Sequence, residues 1–404
     1  MKSHNASNRK LDHMSLRSNA AVTVANVSRA ARTKSLWPCC FYLALLLVSF
    51  VAEPLHAKVT SRYAYVADPG AGQILEYSIN PATGALTPIN GCATTPDPNA
   101  PSALLIDRTG SLLYVANKAA DSIWVYTINP LTGCLVTSPA PASYSTGGTG
   151  PVSLALGAHD TYLFSSDSTS TQIDAFQIQG ATLTPVHGSP FTGCPNGAGI
   201  TVDLVGSYLY QASNVSSNGS NSGTGAVCQF TYGSGGTHWL SSPVSSSTGA
   251  YPTQLAVDPV GQFLYVTSSG ANTVESFSIG STGAHTSIKT TATGTAPVGV
   301  AVNTFGQMVF VANGGGDSIS SYLIGLPPSY GSLSANGPAL GLATSEGPTS
   351  IAVDQTGRFL YATESGGFVS GFSVNPTTGK LAKIAGSPWS TGTGSSPVAI
   401  ATQP

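Results

Sequence analysis

Seven polar residues close short apolar phrases at one recurring place in this chain. They are Asp68 after YAYVA, Asn117 after LLYVA, Asp167 after YLFSS, Asn214 after LYQAS, Ser268 after FLYVT, Asn313 after MVFVA and Glu364 after FLYAT. Carboxylates and amides gathered in a ring suit two kinds of chemistry. Asp68, Asp167 and Glu364 could hold Ca²⁺, which accepts oxygen ligands in loose geometry. Asn117, Asn214, Ser268 and Asn313 could hydrogen-bond a sugar-like ligand. For hydrolysis, Asp167 and Glu364 are the candidates to activate water. The competing expectation is that each side chain caps its own turn.

A second set of acids has a different meaning. Asp107, Asp203, Asp258 and Asp354, with Asn303, each fall three residues before a glycine, in DRTG, DLVG, DPVG, DQTG and NTFG. Asp or Asn at the first position of a tight turn accepts backbone N–H bonds, and glycine at the fourth takes positive φ. These acids are expected to close hairpins rather than to catalyse.

Both sets need elements to hold them, and a repeat supplies these. The phrase aromatics Tyr65, Tyr114, Phe164, Tyr210, Tyr265, Phe310 and Tyr361 follow one another at intervals of 49, 50, 46, 55, 45 and 51 residues. Each repeat reads as four strands. The first follows Pro or Gly (PTQLAVD), the second carries the aromatic, the third follows a polar turn (SIWVYTIN), and the fourth follows NPATGAL, NPLTGCL or NPTTGKL. Alternating, β-branched and aromatic segments between Gly, Asn, Asp and Pro are strands. Seven such units predict an all-β, seven-bladed β-propeller of four-stranded blades. The first repeat opens on a second strand, and SPVAIATQ near the end is a lone first strand. The C-terminal strand is therefore expected to join blade one and close the ring. In the fourth repeat, Asn214–Ala226 reads as a mobile Ser/Gly/Asn insertion.

Charge and cysteines bound the setting. Residues 1–57 hold seven Lys or Arg against Asp12 and Glu53, whereas residues 58–404 hold the other eight basic and fifteen acidic residues. Such an acidic body excludes a nucleic-acid partner, whose phosphates need clustered Lys and Arg. The leader ends in an apolar run from Leu36 to Ala52 with a small residue at Ala57. It reads as a signal peptide or an N-terminal membrane anchor over residues 1–57, with an exported propeller over 58–404. Membrane contact is expected only through that segment if it is retained. Export permits disulfides at the four body cysteines. Cys194 precedes a first strand and Cys228 opens the third strand of the same blade. The favoured pairing is Cys194–Cys228, pinning the blade-four loop, with Cys92–Cys134 as the remainder.

The unit PxxIAVDxxGxxLYVAN…VxxYxINxxTGxL resembles the propeller-type lactonases, the family of the 6-phosphogluconolactonase branch and the YVTN-type surface propellers. The phrases GSPFTG (Gly188–Gly193) and GSPWSTG (Gly386–Gly392) resemble the blade-ending turns of exported members. The resemblance covers Arg62 to Gln403 and implies the seven-bladed fold and lactone ring opening. The family's lactone-handling sites use His, Glu and Arg around the channel, and that trio is not matched here. Arg108 and Arg358 fall in hairpin turns at the opposite face, His159 in another, and His187, His238 and His285 on or near outer strands. Two readings stand: a binding module for a sugar-like ligand or cell-envelope component, and a hydrolase of an unphosphorylated sugar lactone.

Overall fold

The computed structural model describes residues 63–92, 94–203, 208–214, 224–233, 239–342 and 346–404. The leader and most of the blade-four insertion, residues 215–223, lie outside the described residues. Seven antiparallel sheets stand around an axis, and the only helical turn among the described residues is the short 3-10 segment Ala158–Asp160. The innermost strands are Pro101–Ile106, Pro151–Leu156, Gly197–Val202, Pro252–Val257, Pro297–Val302, Pro348–Val353 and, for blade one, Ala399–Thr402. Each blade then runs outward through its second, third and fourth strands. The outermost strand is broken in four blades, where Thr94–Pro96, Phe191–Thr192, Leu340–Gly341 and Trp389–Ser390 pair back on the third strand.

Closure occurs as the repeat predicts. Blade one takes its inner strand from the end of the chain, with Tyr65 opposite Ala401 and Val66 opposite Ile400. The Val398 N–H donates to the Ala67 carbonyl, and the Gln403 N–H donates to the Tyr63 carbonyl. Such pairing removes the open edge that the Tyr63–Asp68 strand would otherwise present.

The second strands are buried on both faces because a radial sheet has a neighbour on either side. The apolar residues gather into seven clusters, one in each seam between adjacent blades. The phrase tyrosines contribute more than area. Tyr65 donates its hydroxyl to the Gly133 carbonyl at 2.6 Å, Tyr210 to that of Gly283 at 2.7 Å, and Tyr361 to that of Gly84 at 2.8 Å. Each bond reaches the outer hairpin of the next blade. The glycine there has positive φ and lies under an aromatic ring, Tyr63 over Gly133 and Phe359 over Gly84. A Cβ at Gly84 would stand 2.3 Å from Phe359, so only glycine fits. We expect Tyr361→Phe to cost about 1–2 kcal/mol, because the buried Gly84 carbonyl loses its donor. Urea unfolding would register this, and an unchanged midpoint would refute the assigned bond.

The turn acids act as predicted, with a longer reach. Asp258 Oδ1 accepts the N–H groups of Gln262 at 2.6 Å and Phe263 at 2.7 Å, and Asn303 Oδ1 accepts those of Gln307 and Met308. Asp107 and Asp354 do the same for their own hairpins. The acid thus ties down the start of the second strand as well as the turn, while Gly110, Gly261, Gly306 and Gly357 take positive φ.

Candidate functional site

The inner strands enclose a cavity of about 400 Å³ on the axis. Among the described residues its wall is made of apolar residues, glycine and neutral polar groups, including Ser102, Ser153, Thr201, Gln254, Thr349 and Ser350, with no ionisable side chain. Part of the hydroxyl supply is used between blades. Ser102 donates to the Pro151 carbonyl at 2.6 Å, Thr253 to that of Pro297 at 3.0 Å and Thr349 to that of Pro397 at 2.7 Å. Gln254 is the longest polar side chain on the wall and lies against Gly199 of blade four, where a Cβ would stand 2.6 Å from its Oε1.

The strand-end residues form a ring by position but stay out of that cavity. Asp68, Asn117, Asp167, Ser268, Asn313 and Glu364 are fully buried, and none lines the channel. In blade four the equivalent register position is Ser213, opposite Ala226, with the half-buried Asn214 one residue beyond. Asp68, Asn313 and Ser213 fasten the incoming loop onto the blade it is about to enter. Asp68 accepts the Ser396 N–H at 2.8 Å and the Ser395 hydroxyl at 2.5 Å. Asn313 Oδ1 accepts the Gly294 N–H at 3.1 Å, while its amide nitrogen donates to Ser318 and Ser320. Ser213 donates to the Pro195 carbonyl at 2.5 Å. Ser268 donates to Glu275, whose Oε1 also takes the Gly249 N–H at 2.5 Å. The Asn117 amide lies beside Asp97, in the loop entering blade two. Asp68, Asp167 and Glu364 stand on blades one, three and seven and do not converge on one point. Among the described residues, the one group of metal-ligating side chains with atoms within 4.8 Å of one another is Glu76, Cys92 and Cys134.

A family model described as a seven-bladed β-propeller lactonase matches residues 54–196 and 204–336. The chain belongs to this lactonase family. Among solved structures, the periplasmic gluconolactonase of Pseudomonas aeruginosa superposes with a TM-score of 0.70 at 17% identity, over 85% of this chain and 99% of that one. A candidate 6-phosphogluconolactonase from Bacteroides uniformis gives 0.68 at 17% identity, over 84% and 99% of the two chains. A functionally unknown protein of Desulfotomaculum acetoxidans gives 0.65 at 14%, over 85% and 99%. At these identities the likeness is one of fold. No curated protein matches the chain significantly.

In this lactonase-family propeller the electrostatics of the ring are dominated by burial. Asp167 lies beside Asp174 of the neighbouring third strand, and its pKa is pushed up to about 8 by desolvation first and then by the Asp174 charge. The Asp174 carboxyl is raised as well, by burial, although the Gly147 N–H bonds its Oδ1 at 2.7 Å. Glu275 and Glu364 are also raised, chiefly by burial. Asp174 and Glu275 are buried neighbours of the ring that strand-end spacing alone does not reveal. Their signal is an acid directly after a buried β-branched residue of the third strand, in QIDAF and TVESF.

The structure bonds Cys194 to Cys228 and Cys92 to Cys134. The first bridge sits on blade four beside Gln211, whose Oε1 accepts the Cys194 N–H at 2.8 Å. The second joins blade one to the outer hairpin of blade two. Arg108 pairs with Asp160 at 3.3 Å, hairpin to hairpin, and Arg358 covers Phe359. His285 packs between Tyr210 and Phe277, and burial lowers its pKa. Arg62 and His238 lie outside the described residues.

Proposed function

We propose that this lactonase-family propeller is an exported binding module of the cell envelope whose axial channel takes a neutral, hydroxyl-rich ligand of the sugar or sugar-lactone class. The observation that carries this reading is the channel wall, where hydroxyl and amide groups occur without any charged side chain among the described residues. A phosphorylated substrate calls for Arg or Lys in the cleft. Here Arg108 and Arg358 are held in hairpins between first and second strands, away from the channel wall. The buried acids speak for binding rather than turnover, since none lines the cavity and Asp68, Asp174 and Glu275 are each occupied by a backbone N–H of an incoming loop. Ca²⁺ at Asp68, Asp167 and Glu364 finds no support in their separation.

A second reading, ring opening of an unphosphorylated sugar lactone, is favoured by family membership and by Asp167. A carboxyl with a pKa near neutrality can both take and give a proton.

Thermal shift with glucono-δ-lactone, gluconate and 6-phosphogluconate separates these readings, since a ligand that binds only the folded state raises Tm. The neutral ligand is expected to raise Tm and the phosphorylated one to leave it unchanged. Gln254→Ala should weaken binding roughly tenfold, about 1.4 kcal/mol. Preference for the phosphorylated compound would sink the proposal. Lactone turnover that is lost in Asp167→Ala or Glu364→Ala protein would replace it with the second reading.

A further inference from the structure

We propose that reduction of the Cys92–Cys134 bridge opens a site for a thiolate-seeking divalent cation of the zinc class, with Cys92 Sγ, Cys134 Sγ and the Glu76 carboxylate as ligands. The three side chains come from different places in the chain. Glu76 lies on the third strand of blade one, Cys92 on the turn leading into the second part of that blade's outer strand, and Cys134 on the outer hairpin of blade two. Their ligand atoms all lie within 4.8 Å of one another. Two thiolates and a carboxylate are the donors that Zn²⁺ accepts at about 2.0–2.3 Å, with a fourth position left for water. The Cα atoms of the cysteines are 5.7 Å apart, so one ion can reach both sulfurs without moving the blades.

Glu76 is already oriented for this. Its Oε1 accepts the Thr95 hydroxyl at 2.5 Å, and its Oε2 accepts the Leu135 N–H at 2.8 Å. Each oxygen keeps a second lone pair. These partners are the outer hydrogen bonds that aim a metal-binding carboxylate. Glu76 is fully buried, while both cysteines are half-buried. The other bridge lacks a third ligand: Gln211, an amide, stands beside Cys194.

The chemistry balances. A dithiol reductant supplies two electrons and two protons and is itself oxidised to a disulfide, leaving Cys92 and Cys134 as thiols. Metal binding then releases a proton from each thiol to solvent. The seam between blades one and two is thereby clasped by a covalent bond under oxidising conditions and by an ion under reducing ones.

The test uses the full chain carrying Cys39→Ser, Cys40→Ser, Cys194→Ser and Cys228→Ser, so that only these two thiols remain. Co²⁺ is the probe, with Zn²⁺ as competitor. The reduced protein is expected to show a thiolate-to-cobalt absorption band at one ion per chain, to lose it to Zn²⁺, and to gain in Tm with Zn²⁺. The oxidised protein should show none of these effects, and Glu76→Gln should weaken the metal at least tenfold while the band persists. Absence of the band in folded, reduced protein overturns the proposal, as does equal affinity in Glu76→Gln. If the quadruple variant does not fold, the same band is sought in reduced wild type minus reduced Cys92→Ser/Cys134→Ser protein. A difference supports the site and its absence overturns it.

Discussion

A chain ending at Ser396 is expected to lose cooperative folding altogether. Removing residues 397–404 deletes the inner strand of blade one and uncovers Tyr65, Val66 and Ala67, all fully buried in the closed ring. Ile400 leaves the cluster it shares with Val66, Tyr77 and Tyr361, a loss of about 1.5–3 kcal/mol for that side chain alone. The four ladder pairs from Ala64–Thr402 to Ala67–Ala399 go with it. The anchorage of Ser395 and Ser396 on Asp68 is loosened as well, which leaves that fully buried side chain with only the Ala71 N–H and the Gln73 amide, each at 3.3 Å. Against a total stability of roughly 5–15 kcal/mol, these losses exceed what the ring can absorb. The exposed edge would also invite strand addition from other chains. Circular dichroism in the near ultraviolet and size-exclusion chromatography are the measurements. A truncated chain that stays monomeric with a wild-type Tm would show that the ring does not depend on its final strand. Addition in trans of a peptide spanning residues 396–404 should restore the native spectrum.

The ring was readable in the amino-acid sequence because its signals are local and repeated. Tyr114 and Tyr361 each recur with a turn acid before them and NPxTG after, so one full repeat explains the rest. SPVAIATQ is recognisable as a first strand because it shares the proline and the apolar alternation of PTSIAVD. The sites were less legible, since position in a repeat does not reveal what a side chain faces. Asp68, Asp167 and Glu364 occupy equivalent strand ends, yet in radial sheets those ends meet incoming loops, and only the inner strands face the channel. Asp174 and Glu275 sit where alternation alone does not mark a buried acid. Glu76 meets Leu135 across 59 residues, and no local pattern announces such a contact.

The Asp167–Asp174 pair makes stability depend on pH with a defined sign. Both carboxyls are buried, and the loop entering blade three lies directly on them: Gly147 donates to Asp174, and a Cβ at Gly148 would fall on Asp167 Oδ2. Two adjacent carboxylates cannot both ionise at low cost, so the folded protein retains a proton that the unfolded chain gives up. The pKa of Asp167 rises from 3.8 to about 8 on folding. The stabilisation is therefore fully present below about pH 4 and is lost as pH climbs through about 8. The slope is at most roughly 1.4 kcal/mol per pH unit for one retained proton. Glu76, pushed up to about 7 by burial, adds to the same trend. His285 opposes it, because its lowered pKa removes stability as pH falls below the ordinary imidazole value of 6.5. Wild-type Tm is expected to fall steadily from pH 6 to pH 9. Asp167→Asn supplies a neutral donor to Asp174 in place of the shared proton. It should flatten that fall and leave the variant more stable than wild type at pH 9. Parallel profiles for the two proteins would mean that Asp167 is ionised in the folded state, and the loop at Gly147–Gly148 would then need another explanation for its close approach.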